Sequence, residues 1–397
     1  MTERRAVIVD VVRTPFGKGR ASGVLAGQHP VDLLAGVIEE LCRRNDFPTD
    51  SIDDVIAGCT LPVGEQSGNV ARHALLAAGL PVRVPGVSID RKCGSFQQAL
   101  HFAAQGVIAG AYDVAVACGV EMMSAVPMRS NRLGRDDLGP RFRSRFPEGL
   151  VGQGISAELI AARWGLDRMR MDEYAARSHH LAARATAEGR LDSHLMPIAR
   201  GEGEAPITVD EGIRPTTDLL ALAALKPAYE DEVMARRFPE IVWSVTAGNS
   251  SQISDGAAAT LVMDEDRARQ LGLRPRAAIS GFVVLGDDPL LMLTGIIPAT
   301  RALLERTRLR LDQIDLFEVN EAFASVVLAW ADDLDAPLDR VNVDGGAIAY
   351  GHPVGASGGR LLAALVDNLE ATGGHYGLMT MCESGGMANA TLLEGLR

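Results

Sequence analysis

Lysine is almost absent. Lys18, Lys92 and Lys226 are the only three, and every other basic side chain among the 39 is arginine. Acidic residues number 51, which leaves a formal net charge of −12. Phosphate backbones and anionic membranes are bound through clustered positive charge, so this balance argues against a general nucleic-acid or membrane-surface binder. It leaves room for one small phosphorylated ligand in a local basic pocket. Cysteine is scarce too: Cys42, Cys59, Cys93, Cys118 and Cys382 are an odd number, far apart, with no Cys-x-x-Cys. That excludes a disulfide framework and a structural zinc site as first readings and points to reduced thiols, one or two of them reactive. No apolar run approaches the roughly 18 residues of a membrane-crossing helix. The apolar run near the N-terminus is broken by Asp10 and reads as a strand instead of a signal peptide. The final Glu-Gly-Leu-Arg carries no retention or peroxisomal signal. A cytoplasmic location is the resulting expectation.

What is present is the composition of a globular chain. Its 397 residues are 47% hydrophobic and 23% charged, enough for a large core spread over two to three domains at roughly 150 residues each. Short Val/Ile/Ala-rich runs alternate with Ala-rich helical segments. Ala6–Val12, Asp54–Cys59, Val87–Asp90 and Val114–Cys118 read as strands. Pro30–Arg43, Gly68–Ala78 and Ser95–Ala109 read as helices, the last apolar nearly all round and therefore buried. This alternation is the α/β signature. From about 121 to 248 the pattern changes to an Arg/Asp/Pro-rich stretch, Met128–Pro147, and one long charged helical pattern, Ser156–Arg190. Strand patterning returns at Ala257–Met263 and Arg276–Val284. The second half then repeats the first at similar spacing: a strand ending at a polar or thiol residue (Val55–Cys59, Leu316–Asn320), a glycine turn into a helix (Cys93-Gly94-Ser95, His352–Gly355), and a strand ending in Cys-x-x-Gly-like sequence (Ala115–Gly119, Met379–Gly385). The division expected is residues 1–120 with 249–275 as one α/β half, 121–248 as a mostly helical insertion, and 276–397 as the other half. Such a duplication brings equivalent loops face to face, near residues 93, 320, 352 and 382.

Five segments could carry chemistry. Cys93 sits between a strand and a buried helix, where the helix dipole and free N–H groups favour the nucleophilic thiolate. An inert buried cysteine at a packed turn is the competing reading. His352 is fixed in a rigid Gly/Pro turn inside Gly345–Gly358, a glycine-rich run without the Gly-Lys-Ser/Thr of a phosphate loop or the spacing of a dinucleotide fold. Cys382 follows a strand and precedes a glycine turn. Asn320-Glu321 lies at a strand-to-helix junction, where helix capping by Asn320 is the plain alternative. Thr246–Ala259 is a polar turn leading into a small-residue strand, a weak signal alone.

Taken together and in this order, these segments resemble the thiolase family, the acetyl-CoA acetyltransferases and 3-ketoacyl-CoA thiolases. The resemblance runs from Arg13-Thr14-Pro15-Phe16-Gly17 to Cys382-x-x-Gly-Gly and is carried by Asn320-Glu321-Ala322-Phe323, by Gly-Gly-Ala-Ile-Ala-x-Gly-His-Pro-x-Gly-x-Ser-Gly and by the two cysteines. It implies a layered α-β-α-β-α fold of two similar halves with an inserted loop domain. It implies that Cys93 accepts the acyl group, that His352 takes its proton, and that Cys382 is a general acid/base. Asn320 would orient a water that forms one oxyanion site with His352, and the N–H groups of Cys93 and Ser384 would form the other. For coenzyme A, a substrate and not a cofactor, the matching residues are Arg214 and Ser251. No metal is implied, and relatives of this kind are homodimers or homotetramers.

Two departures from the family pattern matter. Ser384 replaces a glycine, and serine tolerates positive φ poorly. Gly152-Gln153 stands where short-chain biosynthetic members have His-Met, which suggests room for a longer or bulkier acyl chain. The expected activity is therefore degradative cleavage of a 3-ketoacyl-CoA. Alternatives are a short-chain enzyme making acetoacetyl-CoA, a ketoacyl synthase, which would carry His or Asn where Cys382 stands, and a binding protein without catalysis.

Overall fold

The computed structural model describes residues 4–201 and 203–396. Its strands are β1 (Ala6–Arg13), β2 (Gly17–Lys18), β3 (Asp54–Gly58), β4 (Gly86–Ile89), β5 (Val114–Met122), β6 (Ser254–Asp264), β7 (Ala277–Gly286), β8 (Leu316–Val319), β9 (Tyr376–Glu383) and β10 (Met387–Gly395). They run in the order β4-β3-β5-β6-β1-β7-β10-β9-β8, with β2 beside β6. The path is two wings joined at a narrow seam, because β1 and β7 share only Val7↔Ala278 and Ile8↔Ala277.

Each wing repeats the other. In the first, β3–β5 is parallel while β5–β6 and β6–β1 are antiparallel. In the second, β8–β9 is parallel while β9–β10 and β10–β7 are antiparallel. The counterpart of β4 has shrunk to one parallel bridge, Phe317↔Val341. The internal repeat read from motif spacing is thus a repeat of strand order and sense.

Three layers of side chains hold the wings. One core cluster joins the helix Pro30–Asn45 and the helix Val70–Ala77 to the outer face of the first wing. Another joins the helices Ile296–Thr307 and Ala324–Leu334 to the second wing, and takes in the inserted helices Gln153–Trp164 and Arg168–Ala187. Between the wings lie the equivalent helices Ser95–Ile108 and Ser357–Thr372, whose Phe96, Leu100, Leu361 and Leu365 meet strand residues of both halves. The layers therefore alternate helix, sheet, helix, sheet, helix. Strands sandwiched this way must be apolar on both faces, and every residue of β5 is buried.

Residues 123–253 contain no named strand among the described residues. The single helical pattern expected over Ser156–Arg190 is instead two helices. Gly165, at φ 64°, ends the first, and the Asp167 carboxylate caps the second by accepting from the Arg170 N–H. A left-handed glycine and an N-cap outweigh continuous periodicity. No described helix is long and apolar enough to cross a membrane.

Candidate active site

Cys93 occupies a tight turn after β4. Lys92 is held in the left-handed region at φ 50°, and the Ser95 hydroxyl stitches the turn by donating to the Lys92 carbonyl (2.6 Å) while accepting from the Arg91 N–H (2.9 Å). The Lys92 ammonium pairs with Asp90. Directly behind the thiol the buried helix Ser95–Ile108 begins. The thiol faces the backbone N–H groups of Ser384 and of Cys93 itself, together with the Gln153 side chain, and all three favour the thiolate. Burial and the nearby Glu383 carboxyl work against them and push the thiol up to about 12. Desolvation thus opposes the helix terminus and the N–H groups that favour the thiolate, and the nucleophile needs a base.

Cys382, near the end of β9, is fully buried. Burial, Cys93 and Glu383 all raise its thiol well above the ordinary range. The two sulfurs thus lie within electrostatic reach of each other. They are brought together from different wings, because β4 leads into one and β9 into the other.

His352 is oriented by its neighbours. Its backbone N–H donates to the Gln252 carbonyl (2.9 Å) and the Ser254 hydroxyl (3.1 Å). Its Nδ1 lies 2.6 Å from Ser357 Oγ, and that hydroxyl donates to the Pro353 carbonyl at 2.8 Å. With its one proton committed, the hydroxyl accepts from Nδ1–H. This network assigns the tautomer that leaves Nε2 with a free lone pair. Nε2 is buried and has no partner among the described residues. Burial and the Arg360 guanidinium lower the imidazole to about 4, so it is neutral at ordinary pH and its Nε2 is open to a proton.

Asn320 ends the run after β8, with its N–H on the Thr380 carbonyl at 3.1 Å. Its amide N and O are both buried and have no partner among the described residues. The helix that follows begins after Phe323 with no side-chain cap, so Asn320 is not the cap. Glu321 instead turns away and accepts from Tyr174 OH (2.9 Å), Ser178 Oγ (2.7 Å), the Asn342 amide (3.2 Å) and the Ile348 N–H (3.0 Å). The polar turn around residues 246–254 joins these loops. Ser250 bridges Phe323, the Ser251 N–H donates to the Ala322 carbonyl (3.0 Å), and Ile253 bridges His352. Ser251 is half-buried beside the Asn320 segment. Arg214 lies exposed on the loop after Asp210, its backbone N–H on His179 Nδ1 at 3.2 Å. That loop is tied to the His352 turn through the Gln252 amide, which donates to Gly212 and Ala349 carbonyls at 3.0 Å each.

Ser384 causes no backbone strain. The left-handed positions of this turn are Gly385 (φ 93°) and Gly386 (φ 76°), which this chain retains. Sequence reasoning overlooked the contacts of Gln153 with the nucleophile, of Ser357 with the histidine, and of Glu383 with both thiols. Glu383 carried a signal, a carboxylate at the end of a strand that is otherwise buried. Gln153 stood out only as a departure from the short-chain pattern, and Ser357 only as part of the glycine-rich block. Among the described residues, no group of three or more His, Cys, Asp or Glu is placed to hold a metal ion.

Comparison with known proteins places the whole chain in one family. The family model for the N-terminal domain of thiolase matches residues 6–266, and that for the C-terminal domain matches 273–395. The steroid 3-ketoacyl-CoA thiolase FadA6 of Mycobacterium tuberculosis is 43% identical over all of this chain and 95% of its own length. A 3-ketoacyl-CoA thiolase of Bacillus subtilis is 39% identical over 98% of this chain and 99% of its own. The crystal structure of the Bacillus anthracis acetyl-CoA acetyltransferase superposes with a TM-score of 0.88 at 35% identity, covering 99% of each chain. With duplicated α/β halves and two family models that span it almost end to end, the chain belongs to the thiolase family of acyltransferases.

Proposed function

We propose that the protein is a degradative 3-ketoacyl-CoA thiolase acting on a medium, long or bulky acyl chain. The observation that carries this reading is the buried Cys93 thiol set between two backbone N–H groups, with the Cys382 thiol beside it. In the first half-reaction His352 Nε2 accepts the Cys93 proton, and the sulfur attacks the C3 carbonyl carbon. The C2–C3 bond then breaks, and its electron pair forms the enolate of acetyl-CoA. Asn320, through a water shared with His352 Nε2, holds the developing charge on the thioester oxygen. Preorganised donors of this kind are typically worth about 3–4 kcal/mol each. The Cys382 thiol protonates C2, and acetyl-CoA leaves. In the second half-reaction the Cys382 thiolate takes the proton of incoming CoA, and the CoA sulfur attacks the acyl-Cys93 carbonyl. The N–H groups of Cys93 and Ser384 bind that oxyanion. Collapse releases the shortened acyl-CoA, and His352 returns the proton to Cys93.

Coenzyme A enters as substrate, and we assign Arg214 to its adenine end and Ser251 to its pantetheine. The inserted segment 121–248 supplies this pocket, between an α/β half of residues 1–120 with 249–275 and one of 276–397. A homodimer or homotetramer and a cytoplasmic location complete the reading. Strand β4 lies at the end of the sheet path, which leaves an edge for a second copy. The bulky-chain reading is supported by Gln153 beside Cys93, where a His-Met pair marks short-chain members, and by the relative named for a steroid substrate. A short-chain reading is favoured by one observation, the structural likeness to an acetyl-CoA acetyltransferase.

The test is thiolysis of a panel of 3-ketoacyl-CoA esters with free CoA, products read by mass, and Cys93→Ala as control. Cleavage of long or bulky esters that vanishes in the control is the expected result. Cleavage of acetoacetyl-CoA alone overturns the chain-length assignment, and no cleavage overturns the reaction.

A further inference from the structure

We propose that Glu383 is a positioning residue for this reaction, working as the neutral carboxylic acid, and that its ionisation switches the site off. The inference rests on Cys93 being the nucleophile. Glu383 closes β9 between Cys382 and Ser384, so it sits inside the segment that supplies both the second thiol and one of the N–H groups facing Cys93. Its side chain is fully buried, and neither carboxyl oxygen has a hydrogen-bond partner among the described residues. The carboxyl rests on Gly94, the residue after the nucleophile, where any Cβ would collide with Oε1. The Gly94 carbonyl in turn accepts from the Asn389 amide of β10 at 3.3 Å. Glu383 and Asn389 thereby brace the Cys93 turn against the β9–β10 hairpin.

An ionised carboxylate buried without donors is far costlier than the neutral acid. The charged and titratable groups that face it are few. Arg91, whose guanidinium lies 3.6 Å from Met387 Sδ, favours ionisation. Asp90 opposes it, and burial, the largest influence, holds the group up to about 8. Cys93 and Cys382 complete the set, and negative charge on Glu383 disfavours the thiolate at either one. Both the Cys93 thiolate and the acyl-transfer oxyanion develop negative charge at the same N–H pair. A charged Glu383 beside them therefore raises both barriers, whereas the neutral acid fills the space against Gly94 and adds no charge. The consequence is an alkaline loss of activity that belongs to neither His352 nor Cys382.

The full-length Glu383→Gln and Glu383→Ala variants test this through kcat, KM for CoA and the pH profile of kcat/KM. The amide should keep kcat within about threefold at neutral pH and shift the alkaline decline upward by about one pH unit or more. The alanine should lower kcat about tenfold with KM for CoA nearly unchanged. Superimposable alkaline limbs in wild type and Glu383→Gln would overturn the proposal, as would an amide variant as impaired as the alanine one. If the amide variant does not fold, alkylation of wild-type Cys93 by iodoacetamide decides. A rate that flattens near pH 8 before rising again supports Glu383, whereas a rise following one ionisation overturns it. If wild type cleaves no ester, or Cys93→Ala still does, the failure lies with the reaction assignment, and the alkylation profile still reads Glu383.

Discussion

At the scale of single residues, catalysis depends on the protonation state each group is forced to keep. A buried imidazole lowered to about 4 is neutral throughout the physiological range, and neutral is the form a base requires. Because its pKa is depressed, the active form persists as pH falls and is lost only on approaching about 4. The acid side of kcat/KM should therefore stay flat down to about pH 5, read from steady-state thiolysis over a pH series. A decline centred near the ordinary histidine value would show that His352 is solvated. Ser357 fixes the tautomer, so Ser357→Ala should lower kcat about tenfold or more with KM for CoA within about twofold. An equal rise in KM would assign Ser357 to binding instead. Asn320→Ala removes both unpartnered amide atoms, and a kcat loss of about 100-fold is expected if Asn320 holds the enolate water.

Among elements, the second-half catalytic turn is built onto the first-half strands. The Gly355 carbonyl fits so closely between β3 and β5 that a Cβ on Gly119 would collide with it, and one on Gly58 would lie 2.7 Å away. The turn is then pinned by Glu121, on β5. This buried carboxylate accepts from Thr60 N–H (2.9 Å) and Oγ (2.6 Å), Gln66 Nε2 (2.8 Å) and, across the duplication, Gly355 N–H (3.0 Å). Gly119→Ala should cost about 1–3 kcal/mol in urea unfolding through overpacking. It should also lower kcat by more than that loss of folded protein explains, because His352 moves with the turn. Normal kcat in the folded fraction would mean that the turn relaxes elsewhere.

Across the whole molecule, buried charge ties the halves and the insertion together. Arg13 grips Asp210 of the insertion through two hydrogen bonds, at 2.7 and 2.9 Å. Its guanidinium lies 5.7 Å from the Tyr350 ring, and that of Arg360 lies 5.5 Å from the same ring. Arg360 also pairs with buried Glu318 at 3.1 Å. The Arg360 guanidinium stays charged whatever Glu318 does, so Glu318→Leu strands it and should cost about 3–5 kcal/mol in urea unfolding, and adding Arg360→Met should recover most of it. Burial pushes the Glu318 carboxyl up to about 8 despite Arg360. A raised carboxyl contributes stability that is fully present below the unfolded-state value and is lost as pH rises through about 8. The stability of wild type relative to Glu318→Gln should therefore fall steadily from about pH 4.5 to pH 8. A pH-independent difference would show that Glu318 titrates normally.

By itself, the sequence determined the composition class, the alternation of strands and helices, and the spacing of the repeated motifs. Periodicity and glycine turns are local properties, so β1, β5, β6 and the helix Ser95–Ile108 were legible from short windows, as were the thiols and the histidine at their ends. The break at Gly165 was local too, but a long charged helical pattern ran across it. Other features appeared only when distant segments met. The Cys93 thiol is pushed up and not down, because burial is a sum over the whole surrounding shell and exceeds what one helix terminus supplies. The His352 tautomer depends on where a serine hydroxyl sends its single proton. The sequence marks Glu383 as a carboxylate at a strand end, but only the fold shows it fully buried against Gly94, from the other half of the chain. Local pattern decides which groups are available. Desolvation and close approach between segments far apart in the chain decide which of them are charged and where they point.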